Sequence, residues 1–218
     1  GVDTKAGSFA SGLIALQGAK LAEAGASFEE IVSISQENAE NIEHVFTIDD
    51  LNWLLKGGRI NKSGAIIGSA LNIKPILDVQ KGKMVVIEKI RGRKRALTTV
   101  ADIVQERIKE FPNQIIGITH ADDINAALTV KEMLSEKVGH ANIFTEKIGS
   151  VLGSHLGIGG VGVFFFNKQS NLYINESGIL WANFLYKVVI KISYGTKNEL
   201  DEFIEDSLSV KTYSRWLW

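Results

Sequence analysis

The sequence contains no cysteine and only two prolines, Pro75 and Pro112, among its 218 residues. The absence of cysteine excludes disulfide bonds, zinc sites built on thiolates and a cysteine nucleophile. An excess of charge is also missing, because 24 lysines and arginines stand against 25 aspartates and glutamates. A net charge near −1 gives no general attraction to nucleic acid or to an anionic membrane.

Signals that direct a chain to a membrane are missing as well. The start of the sequence lacks a basic segment followed by an apolar core, so no secretory signal is visible. The most apolar late stretch, Ile179 to Ile192, contains Lys187 and is too short to span a bilayer as a helix. We therefore predict a cytoplasmic protein without stable membrane insertion.

The sequence does have an ordinary globular composition, with 45% apolar and 22% charged residues, and its helix and strand patterns alternate. Ser27 and Glu30 have the spacing of a capping box at the start of a helix. The segment 80–83 is typical of a hairpin turn. We predict helices over 13–24, 28–42, 51–55, 64–70, 93–111 and 122–138, and strands over 45–48, 74–79, 84–90, 114–119, 141–146 and 161–166. This order predicts an α/β fold.

The glycine run from Gly157 to Gly162 has the spacing of a dinucleotide-binding turn. Such a site needs a strand before it and a helix after it. Here the predicted strand follows the run, so a nicotinamide or flavin site is excluded and a structural turn is favoured. His155 lies just before the run, among small residues predicted to form a loop. It is either a donor to a carboxylate or phosphate or an ordinary loop histidine.

The other histidines do not form a recognisable metal site. His44, His120 and His140 lie on separate predicted elements. The segment from His120 to Asp123 could bind a metal, but the start of a helix capped by Asp122 is the favoured interpretation. A nucleophile elbow, a P-loop and a paired-carboxylate arrangement are not recognisable in the sequence.

The segment 89–95 is rich in lysine and arginine and has three interpretations. It is a nucleic-acid contact, a solvated basic turn, or an anion pocket that uses the forked donors of Arg91 or Arg93. The lack of interleaved aromatic residues and the balanced net charge make nucleic acid the least favoured. Arg59, which follows two glycines, is a second anion-binding candidate, and its alternative is a surface ion pair.

Five blocks, taken in order, are more specific than any single motif. They are Leu55–Ile60, Gly68–Leu77, Ile90–Leu97, His120–Asp123, and the set formed by Ile148–Gly149, Gly153–His155 and Gly162–Phe165. In this order and spacing they resemble the DegV family of bacterial fatty-acid-binding proteins, over residues 1 to about 167. The resemblance implies a two-domain α/β architecture whose N-terminal domain is only partly present.

The resemblance also implies a division of the chain. Residues 1–57 would be the remnant of the N-terminal lipid-binding domain, and residues 58–167 the C-terminal domain. Residues 168–218 match nothing in the family, and we expect this tail to be poorly packed. The hydroxyl side chains that grip the carboxylate in the family would lie upstream of Gly1.

In function, the resemblance implies a non-enzymatic carrier without a cofactor. It would bind a long-chain fatty acid such as palmitate and present the carboxylate to a separate fatty acid kinase, in lipid transport or fatty acid metabolism. The family's helper contacts map onto Arg59, onto Arg91 or Arg93, and onto His155. Apolar residues that line either a tunnel or the core are Leu13, Ile14, Leu16, Ile66, Ile67 and Leu71. The alternative is an enzyme acting on a phosphorylated metabolite through His155 and Arg91.

Overall fold

The computed structural model describes residues 1–60, 72–139 and 142–174, which form six helices and six strands. The helices are α1 (Phe9–Glu23), α2 (Phe28–Asn41), α3 (Asn52–Lys56), α4 (Arg93–Arg107), α5 (Ile124–Val138) and α6 (Ser150–Leu156). The strands are β1 (Ile42–Thr47), β2 (Ile73–Gln80), β3 (Lys83–Arg91), β4 (Ile116–His120), β5 (Ile143–Lys147) and β6 (Val161–Phe166). The helix predicted over 64–70 lies outside the described residues.

The ends of the helices follow local hydrogen-bonding rules. The capping box predicted at α2 is present, since the Ser27 amide donates to Oε2 of Glu30 at 2.8 Å and the Glu30 amide donates to Oγ of Ser27 at 3.3 Å. The Glu30 carboxylate accepts bonds from the amide and from the hydroxyl of Ser27, and these two bonds lower the pKa of Glu30. Helix α5 begins at Ile124, two residues later than predicted, because Asp123, and not Asp122, is its capping residue and accepts a bond from the Ala126 amide at 3.1 Å.

The strands form one mixed sheet in the order β3-β2-β1-β6-β4-β5. The β4–β5 pair is parallel and the other four pairs are antiparallel. The predicted hairpin between β2 and β3 is confirmed, with Lys81 and Gly82 both at positive φ in a two-residue turn. The alternation of helices and strands predicted from the sequence is thus confirmed as an α/β fold.

Strand β1 lies in the middle of this sheet, between β2 and β6. It precedes the boundary predicted at residue 57, whereas β2 follows that boundary, and the two strands pair through Phe46 and Leu77. The sheet therefore continues across residue 57, and the division of the chain into units of a longer architecture stays a prediction.

Each face of the sheet is covered differently. Helices α4 and α5 cover one face, where Val45 and Val163 belong to the main apolar core. On the opposite face, α1 packs against β4 and β6, and the Phe9 ring lies where a side chain on Gly117 would stand. Leu13, Ile14 and Leu16 pack in the core beneath α1. Core packing is therefore the correct interpretation of these three residues, and Ile66, Ile67 and Leu71 lie outside the described residues.

The start of the C-terminal tail packs on the folded domain, contrary to expectation. The side chain of Gln17 exchanges two hydrogen bonds with the backbone of Ile174, at 3.1 and 3.0 Å. The ring of Tyr173 meets the edge of Phe111 at a centroid distance of 4.7 Å. Residues 168–174 are therefore integrated with the fold. Among the described residues, no helix has both the length and the apolar character needed to cross a membrane.

Candidate ligand-binding site

A cavity of about 990 Å³ opens on the face of the sheet that α4 and α5 leave uncovered. It lies beside the segment that precedes α1, over β1, β2, β3 and β6. Its apolar wall includes Phe46, Val79, Met84, Val86, Leu156 and Phe164. Its polar lining includes Lys5, Ser8, His44, Arg59, Lys83, Lys89 and Thr119. The volume lies at the upper end of the range of about 300–1,000 Å³ that is usual for small-molecule sites.

The pleat of β1 and a glycine in β6 explain why there is space here. Side chains alternate along a strand, so His44 and Phe46 face the cavity whereas Val45 enters the main core. Phe46 lies opposite Gly162 in the β1–β6 register. A Cβ on Gly162 would approach Phe46 and Phe164 within about 3.2 Å. The glycine therefore leaves room on this face for Phe46 and Phe164, which a side chain at this position would crowd.

Two of the residues predicted to form the site come together: Arg59 lines this cavity, and it contacts His155, which is not itself a lining residue. Nη2 of Arg59 lies 3.4 Å from Nε2 of His155, although the residues are 96 positions apart in sequence. Arg59 follows α3, where its amide donates to the Leu54 carbonyl at 2.8 Å. Because a guanidinium only donates, this contact requires Nε2 of His155 to accept, which leaves the proton of a neutral imidazole on Nδ1.

The contact depends on the packing of α3 against α6. His155 lies in the last turn of α6, so the loop predicted around it is wrong: the segment is a short helix. A Cβ on Gly57 would overlap the His155 imidazole. Glycine at this position therefore allows the ring to lie directly against the end of α3.

The glycine run after His155 is a structural turn, as predicted. It connects α6 to β6, so the helix precedes the run and the strand follows it. Gly157 has a φ of +73°, and a Cβ there would overlap the indole of Trp53. The run thus allows α3 and α6 to approach each other closely, and its order of elements is the reverse of a dinucleotide site.

Arg93 is engaged in holding loops together. Its Nη2 donates to Oδ2 of Asp123 at 3.0 Å and to the Gly159 carbonyl at 2.5 Å, and its Nη1 lies 3.4 Å from Oδ1 of Asp49. These partners belong to the segments that follow β1, precede α5 and precede β6. Arg91, in contrast, is an exposed residue at the end of β3, opposite Ile73.

The structure therefore brings Arg59 and His155 together and places Arg93 in a cluster of ion pairs. His155 contacts Arg59, so the alternative enzyme, which needs His155 together with Arg91, remains a hypothesis.

The segment from His120 to Asp123 leads into helix α5, and Nδ1 of His120 accepts a hydrogen bond from the Asp123 amide at 3.2 Å. No cluster of three or more metal-ligating side chains occurs within 1–60, 72–139 and 142–174.

His44 is a cavity residue that the sequence analysis considered only as a metal ligand. It is 4% exposed, and its ring meets the edge of Phe164 at a centroid distance of 5.6 Å. Burial lowers the pKa of His44 to about 4, although the Asp78 carboxylate acts in the opposite direction. The signal in the sequence is a lone polar side chain at an inward position of an apolar strand.

Comparison with known proteins identifies the family. The sequence model of the family described as "Uncharacterised protein, DegV family" matches residues 1–168. The chain belongs to the DegV family. A DegV domain-containing protein of Clostridium perfringens is 40% identical over 165 residues, which cover 75% of this chain and 57% of that protein. The chain thus spans less than two thirds of the length of this relative.

Two solved DegV structures have the same fold. The fatty acid binding DegV family protein of Streptococcus agalactiae is 34% identical, with a TM-score of 0.69, over 77% of this chain and 59% of that one. A DegV family protein of Ruminococcus gnavus, determined with vaccenic acid, is 30% identical, with a TM-score of 0.62, over 70% of this chain and 55% of that one. The first of these relatives is thus described as fatty acid binding, and the second was determined with a fatty acid.

Proposed function

We propose that this DegV chain binds a long-chain fatty acid such as palmitate, with the acyl chain in the cavity and the carboxylate at Arg59 and His155. The observation that carries the proposal is the cavity itself, which has an apolar wall and is lined by Arg59, whose guanidinium lies 3.4 Å from the His155 imidazole. Solved relatives described as fatty-acid binding support the same class of ligand.

The physical chemistry of a fatty acid matches the two parts of this site. Each methylene moved from water into an apolar wall contributes roughly 0.8 kcal/mol, so a long chain supplies most of the gross affinity. The carboxylate loses affinity unless donors replace its water shell. Arg59 offers forked donors, and Nε2 of His155 holds the guanidinium in place by accepting one of its bonds.

Arg93 has a supporting role in this proposal. Its guanidinium joins Asp49, Asp123 and the Gly159 carbonyl, and so fixes the loop that leads from α6 to β6. We infer that Arg93 positions the site without touching the ligand. Arg91 stays a predicted anion contact, at an exposed position on the end of β3.

We further propose that the chain is a carrier that presents the carboxylate to a separate fatty acid kinase and catalyses no step itself. This would place it in the cytoplasm, in fatty acid metabolism or lipid transport. The exposed Arg59–His155 pair supports presentation, because a carboxylate held there stays accessible from solvent. A direct measurement is transfer of phosphate to palmitate by a purified bacterial fatty acid kinase, with and without this chain.

Lipid extraction from the purified chain, followed by mass spectrometry and a palmitate titration, tests the binding. We expect a long-chain fatty acid to copurify and the double substitution Arg59→Ala, His155→Ala to weaken palmitate binding by at least about ten-fold. Lys94→Ala, which removes an exposed cation of α4, is the matched control and should bind normally. Finding no copurified fatty acid and no response to palmitate would contradict the proposal.

A further inference from the structure

His44 is a polar group that the fold buries. Within the described part of the chain, neither Nδ1 nor Nε2 of its ring has a hydrogen-bond partner. Buried polar side chains are nearly always hydrogen-bonded, so an exception calls for an explanation. The position of the ring supplies one, because His44 lines the cavity in which the proposed function places the acyl chain.

The strand neighbours of His44 on this face of the sheet are apolar. Phe164 lies directly opposite it in the β1–β6 register, and Phe46 is the next residue of β1 on the same face. Val79 and Val86 line the same cavity from β2 and β3. An imidazole in such a wall is poorly suited to a plain hydrocarbon, which can neither donate to it nor accept from it.

We propose that His44 selects fatty acids that carry a hydroxyl group along the acyl chain, by exchanging a hydrogen bond with that hydroxyl inside the cavity. A neutral imidazole has one donor and one acceptor, and a hydroxyl can satisfy either. Burial keeps the ring neutral at physiological pH, in agreement with its low pKa. The inference rests on the proposed function, since it names the class of fatty acid that the same cavity prefers.

The selectivity comes from the unfavourable free energy of binding a fatty acid that has no hydroxyl group to pair with His44. A saturated chain that fills the cavity leaves both ring nitrogens dry and unpaired, whereas a hydroxylated chain satisfies one of them. We expect the best-placed hydroxyl to improve binding by about ten-fold over the saturated chain. The position of that hydroxyl is set by the path from the Arg59–His155 pair to His44.

The test is a titration of the 218-residue chain with stearic acid and with hydroxystearic acids that carry the hydroxyl near the head, in the middle and near the end of the chain. At least one positional isomer should bind more tightly than stearate. His44→Leu should abolish that preference and should strengthen stearate binding. His44→Gln, which restores a donor and an acceptor, should retain part of the preference.

Lys94→Ala, which removes an exposed cation of α4 outside the cavity, is the control and should leave the preference unchanged. The inference is overturned if stearate and every isomer bind the wild-type chain equally, or if a preference survives in His44→Leu. Should none of these acids bind, the proposed function itself fails. Stearate binding without a preference contradicts the role of His44 alone.

Discussion

Lowering the pH should destabilise the folded chain through His44. The folded state holds this imidazole neutral down to a pKa of about 4, whereas the unfolded chain takes up the proton near pH 6.5. Between these two values the unfolded state binds more protons, so the free energy of unfolding falls as the pH falls. Above pH 6.5 the group contributes nothing to the pH dependence.

The size of the effect follows from the two pKa values. The difference between 6.5 and about 4, at about 1.4 kcal/mol for each pH unit, makes the folded state less stable by about 3 kcal/mol at low pH. This difference is a large fraction of the free energy of unfolding of a typical domain, which is roughly 5–15 kcal/mol. The value of about 4 already reflects the Asp78 carboxylate, which favours the charged imidazole and raises the pKa of His44.

Urea unfolding at about pH 7.5 and about pH 4.5 measures the effect. The wild-type chain should lose about 2 to 3 kcal/mol more than His44→Leu between these conditions, because the variant lacks the titrating group while the carboxylates titrate in both. Phe46→Leu should follow the wild-type pH dependence. Equal losses in the wild-type chain and in His44→Leu would refute the reasoning, as would a His44 pKa near 6.5 measured by NMR.

Two further substitutions test the packing around the site. Arg107→Ala should lower the free energy of unfolding by about 2 to 3 kcal/mol in urea, because it leaves the buried Asp78 carboxylate without the Nη1 donor that lies 3.0 Å away. A loss below about 0.5 kcal/mol would contradict this. Gly57→Ala should displace the His155 imidazole and weaken palmitate binding by about ten-fold in calorimetry. Gly153→Ala is the control, because the added Cβ within α6 would make only an ordinary van der Waals contact, and this variant should bind palmitate normally. Equal affinities of the two glycine variants would show that the ring position does not matter.

Much of the fold was predictable because its signals are local. The capping box at Ser27 and the turn at Lys81–Gly82 are complete within four residues, and both are present in the structure. The buried strand β6 was predicted from a continuous apolar run. Helix α6 was missed because its seven residues include a glycine and two serines, which have weak helix propensity. Packing against α3 stabilises it, and a local pattern does not record such a contact.

The site was harder to predict, since its residues meet only after the sheet has formed. The proximity of Arg59 and His155 depends on α3 and α6, and the family resemblance suggested both residues without showing that they touch. The ion pairs of Arg93 join three separate segments, so its basic neighbours in sequence gave no indication of a structural role. The sequence of β1, in contrast, does indicate His44, because the strand pattern places this polar side chain in the interior, where polar groups are usually hydrogen-bonded.

The low pKa of His44 and the proposed acyl site have the same physical origin. A wall that disfavours a proton on His44 does so because it solvates charge poorly, and such a wall favours methylene groups. Arg59 lies beside His155, while Arg107, which does not line the cavity, holds Glu43 and Asp78 through Nη1 bonds of 2.7 and 3.0 Å. Urea unfolding at two pH values and the fatty acid titrations are therefore two independent measurements of the same apolar environment.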